Sequence, residues 1–461
     1  MVGTHRMEAL VREAAERDLF TGAWLFAERG RIVSKGAVGF RDPEDRLPVR
    51  EDSLFDLASV SKCFTAAAVM LLRRRGLLSL EDEIVRFFPE LPYPGVTVRH
   101  LLTHTGGLPD YAAWVQRTAE AEGRIPGNGI VLRFLAECGQ AASFPPGERF
   151  EYSNTGYCLL AQLVEKVSGV PFEDFMREEL FVPAGMASTR VLHRRKDGLA
   201  VEGLAYGLVR EGGACVLPED AKGRGRSAVL LDGMSGDCGV YSNVLDLLAW
   251  DRALRAEGVL SRAEQELTVT PGRLSNGENA GRAVEPGAVG YGFGWDLLAD
   301  PELGRIAAHS GSRPGCSAWY ERFLDADRVL ILLCCRESPD RRGWDSFRRG
   351  MRAAAAGREP APIRCLEDAA VQAPDKSGWR ELCGVYLWRL YRFEVFLRDG
   401  ELFLRSDRDG GEAGQPSRLY PLGGNAFGLK GETGELVFAD GGLTFYGMEG
   451  RKLKGSGPSG G

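Results

Sequence analysis

Ser59-Val60-Ser61-Lys62 sets a hydroxyl and an amine three residues apart, at the head of the run Thr65-Ala66-Ala67-Ala68-Val69-Met70. Alanine-rich sequence of this kind has strong helix propensity. Residues i and i+3 share a helix face, so Ser59 and Lys62 point the same way. An amine held against a hydroxyl in a dry pocket can lose its proton, because desolvation disfavours the ammonium form. A serine beside such a base is an activated nucleophile. With Ser59 in the first turn, the helix N-terminus also favours negative charge developing near its oxygen. The bland alternative is an ordinary helix start with a surface lysine, since S-x-x-K recurs by chance. Ser61 is the rival serine, but it projects away from the face of Lys62, so geometry favours Ser59.

Two later segments supply partners. In Phe150-Glu151-Tyr152-Ser153-Asn154-Thr155-Gly156-Tyr157, after the turn-like Pro145-Pro146-Gly147-Glu148, Tyr152 and Asn154 lie two apart on a loop and can face one cavity. The phenol can relay a proton; the amide can bind a carbonyl or steady the lysine. His309-Ser310-Gly311-Ser312, followed by Arg313-Pro314-Gly315, lies between the strand-like runs 304–308 and 316–322. Gly311 has no side chain, which would let an acyl group lie against the strand backbone.

In the order S-x-x-K, Y-S-N, H-S-G, the chain resembles the serine penicillin-recognising enzymes. More narrowly it is similar to their class C β-lactamase-like branch of carboxypeptidases, D-aminopeptidases and esterases. The phrases His100-Leu101-Leu102-Thr103-His104-Thr105-Gly106-Gly107-Leu108, Gly236-Asp237-Cys238-Gly239-Val240-Tyr241-Ser242 and Gly290-Tyr291-Gly292-Phe293-Gly294-Trp295 support it, and together the resemblance covers most of residues 15–350. It implies an α+β fold: an antiparallel sheet flanked by helices, beside a mostly helical lobe, with the active site in the groove between. It implies catalytic roles for Ser59, Lys62, Tyr152 and His309, and substrate-binding or oxyanion roles for Asn154, Ser310, Gly311, Ser312 and Arg313. Lys62 and Tyr152 are both candidate bases and titrate as a coupled pair, so neither is singled out. The oxyanion donors would be the backbone N–H groups of Ser59 and Ser312. Arg313 is a candidate for a substrate carboxylate, with a surface arginine the plain alternative. His309 stands where β-lactamases of this branch carry lysine, which favours peptidase or esterase chemistry over efficient β-lactam hydrolysis.

Residues 7–17 have the pattern of an amphipathic helix, and the runs on either side of Gly30 that of a hairpin. Helices are expected over 156–170 and 243–256, and strands over 290–298, 304–309, 316–323 and 328–335. Strands at both ends of a helical middle predict one sheet whose N- and C-terminal strands meet. Residues 357–378 are linker-like, with Glu359-Pro360-Ala361-Pro362 and Ala373-Pro374. Short apolar runs at even spacing follow, with Asp399-Gly400 as a hairpin turn. The expected organisation is a hydrolase domain over 1–356, a linker over 357–378 and a small antiparallel β-barrel over 379–461. That tail resembles the lipocalin-like domain appended to several D-aminopeptidases, esterases and peptide-releasing relatives. It is read as a packing or substrate-gating module, with a ligand-carrying barrel as the alternative.

The chain's 461 residues suffice for two or three domains and a large core. A net charge of -6 supplies no basic footprint for nucleic acid. No run of about 20 apolar residues exists to span a bilayer. Ten cysteines without a C-x-x-C pair, two of them (Cys334-Cys335) inside an apolar run, fit a reducing compartment. The five histidines lack metal-ligand spacing; His100 and His104 run into Thr105-Gly106-Gly107 and read as structural. The N-terminal residues lack a targeting pattern, so the protein reads as cytoplasmic. Gly455–Gly461 reads as a flexible tail. No cofactor or metal is expected; the partner is a small-molecule or peptide substrate, with neither nucleic acid nor membrane. Three functions follow: a serine hydrolase of small amides or esters, a cyclase that releases nonribosomal peptides by handing the same acyl group to an amine, or a non-catalytic binding protein. The intact Ser59, Lys62, Tyr152 and His309 set argues against the last.

Overall fold

The computed structural model describes residues 2–44, 46–211, 214–221, 224–282, 285–388, 391–406, 416–430, 435–439, 441–445 and 448–453. Met1, Tyr446 in the last expected strand and the tail at 455–461 lie outside them. The chain forms two compact units: Thr21–Asp220 with Gly225–Glu337, and Met1–Phe20 with Ala221–Arg224 and Ser338–Gly461.

The first unit holds a seven-stranded sheet in the order Arg31–Val38, Gly22–Glu28, Arg328–Cys334, Cys316–Phe323, Gly304–Arg313, Asp296–Asp300, Ala288–Tyr291. Every neighbouring pair is antiparallel. The first hairpin turns through Arg29 (φ 49°) and Gly30 (φ 68°), both left-handed as a tight two-residue connection requires. Its inner strand pairs with the last strand of the unit, Trp24 opposite Leu332, so early and late strands meet as the pattern predicts. The apolar faces of both are buried; Cys334 and Cys335 are small core side chains.

The Ser61–Arg74 helix is buried from Ser61 to Leu72, as a helix without a polar face must be, and emerges only at its arginines. Around it pack Asn154–Ser168 and Val244–Arg255. Each starts at a side-chain cap: the Ser153 hydroxyl accepts the Gly156 N–H, and Asn243 Oδ1 accepts those of Leu245 and Asp246. Residues 98–137 carry the helices Val98–Leu102, Ala112–Glu122 and Ile130–Glu137. A small three-stranded sheet of Phe55–Asp56, Val240–Ser242 and Arg190–Val191 leads straight into the serine segment.

The second unit contains the helices Val2–Glu16 and Arg341–Ala355, where Phe20 packs on Trp344 and Phe347, and a nine-stranded antiparallel sheet. The edge strands of that sheet, Ser417–Arg418 and Tyr420–Gly423, are separated only by Leu419, so the sheet curls into a nearly closed barrel. Asp399 (φ 52°) and Gly400 (φ 72°) make the expected hairpin turn. The interior is occupied by Tyr386, Phe393, Phe427, Leu436, Phe438 and Phe445, with Phe427 and Phe438 edge-to-face at 5.7 Å. Among the described residues no helix is long and apolar enough to cross a membrane.

Candidate active site

Ser59 sits one turn ahead of the position expected for it, in the 3₁₀ turn Ala58–Val60 that precedes the Ser61–Arg74 helix. Ala58 has φ 44°, which keeps the helix from running back through the serine. Asp56 fixes this turn by accepting the Ala58 N–H at 2.8 Å. Ser59 is half-buried, whereas Ser61 is fully buried and its hydroxyl accepts the Val240 N–H at 3.1 Å. The rival serine is thereby committed to the fold.

Lys62 is wholly buried, and its Nζ donates to Ser59 Oγ at 3.1 Å, Asn154 Oδ1 at 2.8 Å and the Asp237 carbonyl at 2.9 Å. Three acceptors around Nζ fix the amine in place beside the serine. Asn154 therefore steadies the lysine, one of the two roles open to it from sequence. Asp237 is held by Tyr111 Oη at 3.0 Å and Cys158 Sγ at 3.2 Å. Tyr152 presents its ring to two cations: Lys62 Nζ lies 4.9 Å and Arg282 Cζ 4.4 Å from its centre. Arg282 is clamped by Asp296 through Nε at 3.1 Å and Nη2 at 3.0 Å. Burial opposes its charge, but Asp296 holds its pKa above the ordinary guanidinium value.

His309 lies 6.2 Å from Tyr152, ring centre to ring centre, and is completely buried. Its Nδ1–H donates to the Ser310 carbonyl at 2.6 Å, leaving Nε2 to accept the Tyr291 hydroxyl at 3.0 Å. Burial pushes its pKa down to about 4, so at neutral pH it is an uncharged imidazole. Both ring nitrogens are thus engaged, with Ser310 and Tyr291. Burial likewise keeps Tyr291 a neutral phenol, its pKa well above the ordinary value.

The Gly304–Arg313 strand pairs with Asp296–Asp300 only as far as Ala308, while its other edge pairs with Cys316–Phe323 through Arg313. Residues 309–313 therefore run on with one edge free of the sheet, against the Ala58–Val60 turn. A Cβ at Gly311 would lie 2.1 Å from the Leu57 carbonyl oxygen. The glycine makes room for the serine's own chain. Ser312 is exposed beside it. Arg313 is not a surface arginine: its Nη1 donates to Asp56 at 3.2 Å and its Nη2 to the Ala228 carbonyl at 3.0 Å.

Sequence reasoning named Ser59, Lys62, Tyr152 and Asn154, which converge. It missed Asp237, Arg282 with Asp296, and Tyr291. Asp237 and Tyr291 stood inside phrases noted only as supporting the resemblance; nothing local marks Arg282. Among the described residues no cluster of side chains could hold a metal.

Ser59, its buried lysine and the sheet edge beside them define a β-lactamase-like arrangement, and residues 7–351 match the family described as Beta-lactamase. The chain belongs to that family. It is similar to penicillin-binding protein 4* of Bacillus subtilis, 39% identical over 333 residues, which cover 72% of this chain and 71% of that protein. Esterase EstB of Burkholderia gladioli is 31% identical over 359 residues, 71% of this chain and 89% of the esterase. A D-aminopeptidase of Brucella anthropi is 29% identical over 328 residues, 69% of this chain and 57% of that enzyme. In fold, the chain resembles the octameric penicillin-binding protein homologue from Pyrococcus abyssi, with a TM-score of 0.66 at 23% identity over 97% of this chain and 99% of that one.

Proposed function

We propose that this protein is a serine hydrolase that works through a Ser59 acyl-enzyme on a small amide or ester, either a peptide with a D-residue or a carboxylic ester. The observation that carries the reading is the buried Lys62 Nζ, 3.1 Å from the half-buried Ser59 hydroxyl. Ser59 Oγ attacks the substrate carbonyl carbon, and its proton passes to the coupled Lys62–Tyr152 pair. The same pair returns a proton to the departing amine or alcohol. Water then attacks the ester, and Ser59 leaves with the proton. Backbone N–H groups of Ser59 and Ser312 face the oxyanion, each such donor lowering the barrier by about 3 kcal/mol. Arg313 braces Asp56, and through it the Ala58 turn, in place of the carboxylate-binding role considered from sequence. The relatives named as esterase and D-aminopeptidase support the two substrate classes.

Exposure to p-nitrophenyl esters and D-aminoacyl nitroanilides, followed by intact-mass and peptide mapping, tests this. The acyl group is expected on the peptide containing Ser59; stable acylation of another residue overturns the reading. Added amines distinguish hydrolysis from acyl transfer, because an amide product accumulates only if the acyl group is handed on. Ten free cysteines support a reducing, cytoplasmic setting for this reaction, which cell fractionation checks.

A further inference from the structure

His104 has no part in the reaction as proposed, yet it is fully enclosed and touches Tyr152 on three counts. The Glu151 N–H donates to the His104 carbonyl at 2.9 Å, and the Ser153 N–H donates to His104 Nδ1 at 3.1 Å. The residues before and after Tyr152 are thus both tied, through their N–H groups, to one residue. The imidazole also lies against the phenol ring itself, centres 4.3 Å apart. Since Nδ1 accepts, the ring proton is on Nε2, which has no hydrogen-bond partner among the described residues. Nε2 is enclosed by a cage in which Phe150, Tyr157 and Tyr291 stand 5.7, 5.1 and 4.6 Å from the imidazole, centre to centre.

An unpaired buried N–H carries a desolvation penalty, and so does a left-handed backbone on a residue other than glycine; His104 has both, with φ 57°. Such costs persist where the surroundings demand a particular geometry. We infer that His104 is the positioning residue of Tyr152: its carbonyl and Nδ1 fix the chain on either side of the tyrosine and its ring sets the phenol's tilt. The inference rests on the proposed role of Tyr152 in proton transfer. Neutrality is a condition of the arrangement, since a proton on Nδ1 would turn the acceptor of the Ser153 N–H into a donor. Burial supplies it, with Lys62 and Arg282 adding to the effect, by holding the His104 pKa well below the ordinary histidine value.

The test is a double-mutant cycle on the single-turnover acylation rate with a p-nitrophenyl ester. His104→Gly suits the left-handed backbone and deletes only the ring. It is expected to slow acylation about 10²-fold, the scale of a displacement near 1 Å at a reacting group. His104→Asn, whose amide oxygen can take the place of Nδ1 and which also tolerates positive φ, should recover most of that loss. His104→Gln, which reaches toward Nε2 instead, should not. In the Tyr152→Phe background, His104→Gly should slow acylation no further. The inference is overturned if His104→Gly slows both backgrounds equally, or if Asn and Gln give the same rate. Acylation of Tyr152→Phe at the wild-type rate would instead remove the proposed role of Tyr152, and this inference with it. Should the glycine variant not fold, the Asn and Gln pair decides alone.

Discussion

The two large antiparallel sheets of this protein treat their interiors in opposite ways. The barrel sheet fills its inside with rings in edge-to-face contact, and its inward tyrosine, Tyr386, donates to the Leu382 carbonyl at 2.8 Å. The seven-stranded sheet borders a region where a lysine, two neutral histidines and an aspartate are buried together. There, two non-glycine residues, Ala58 and His104, hold left-handed backbones and a histidine N–H goes unpaired. Packing alone explains the first sheet. In the second, polar groups are buried around Ser59, an arrangement in keeping with the reaction proposed for it.

Removing the reactive oxygen should produce the largest effect. Ser59→Ala is expected to abolish turnover and labelling by a fluorophosphonate while leaving the thermal transition unchanged; labelling at the wild-type rate would show that the polar region is not where acylation occurs. A smaller but still large contrast is expected between substrates. Ester hydrolysis should exceed cephalosporin hydrolysis by orders of magnitude, because the neutral His309 offers no cation where β-lactamases of this branch carry lysine. Efficient cephalosporin turnover, measured beside the ester, would sink that claim.

The barrel should respond in stability rather than chemistry. We propose that it is a separable module, so Phe427→Ala, which empties part of its core, should cost about 3–5 kcal/mol in calorimetry or denaturant unfolding of that unit. Acylation of Ser59 by a small ester should stay unchanged; a parallel loss of acylation would mean that the barrel helps to build the site. The smallest effect concerns pH. His309 has its pKa pushed down to about 4 in the fold, against about 6.5 when unfolded, so between these values the unfolded chain binds more protons. Stability is therefore unaffected above pH 6.5 and falls as pH drops toward 4, by on the order of 3 kcal/mol for this group. His309→Asn should flatten that part of the stability profile, and an unchanged acid slope would count against the burial argument.

The barrel and the first hairpin were legible because their signals are local: alternation, and the turn pairs Arg29-Gly30 and Asp399-Gly400. Ser59 and Lys62 were legible because one turn of chain brings them together. The Ala58 turn was not, because its left-handed backbone depends on Asp56 and on the small sheet behind it, set by residues near 190 and 240. Arg282 was invisible for a related reason. Its meaning comes from Asp296 on one side and Tyr152 on the other, far apart along the chain. The close approach at Gly311 was not legible either, since the carbonyl beside it belongs to a segment some 250 residues earlier.

On the proposed mechanism, the pairing of Trp24 with Leu332 also sets when acylation can begin. Ser59 leaves the ribosome early, but the sheet supporting the groove lacks its central strands until about 300 further residues have been made. At roughly 5–20 residues per second, that is an interval of about 15–60 s. During it the nascent chain carries Ser59 without the strand edge that faces it, and is expected to be silent toward acylating compounds. A covalent probe added to translating cells should therefore mark only released or nearly finished chains, which makes such labelling a clock for completion of the fold.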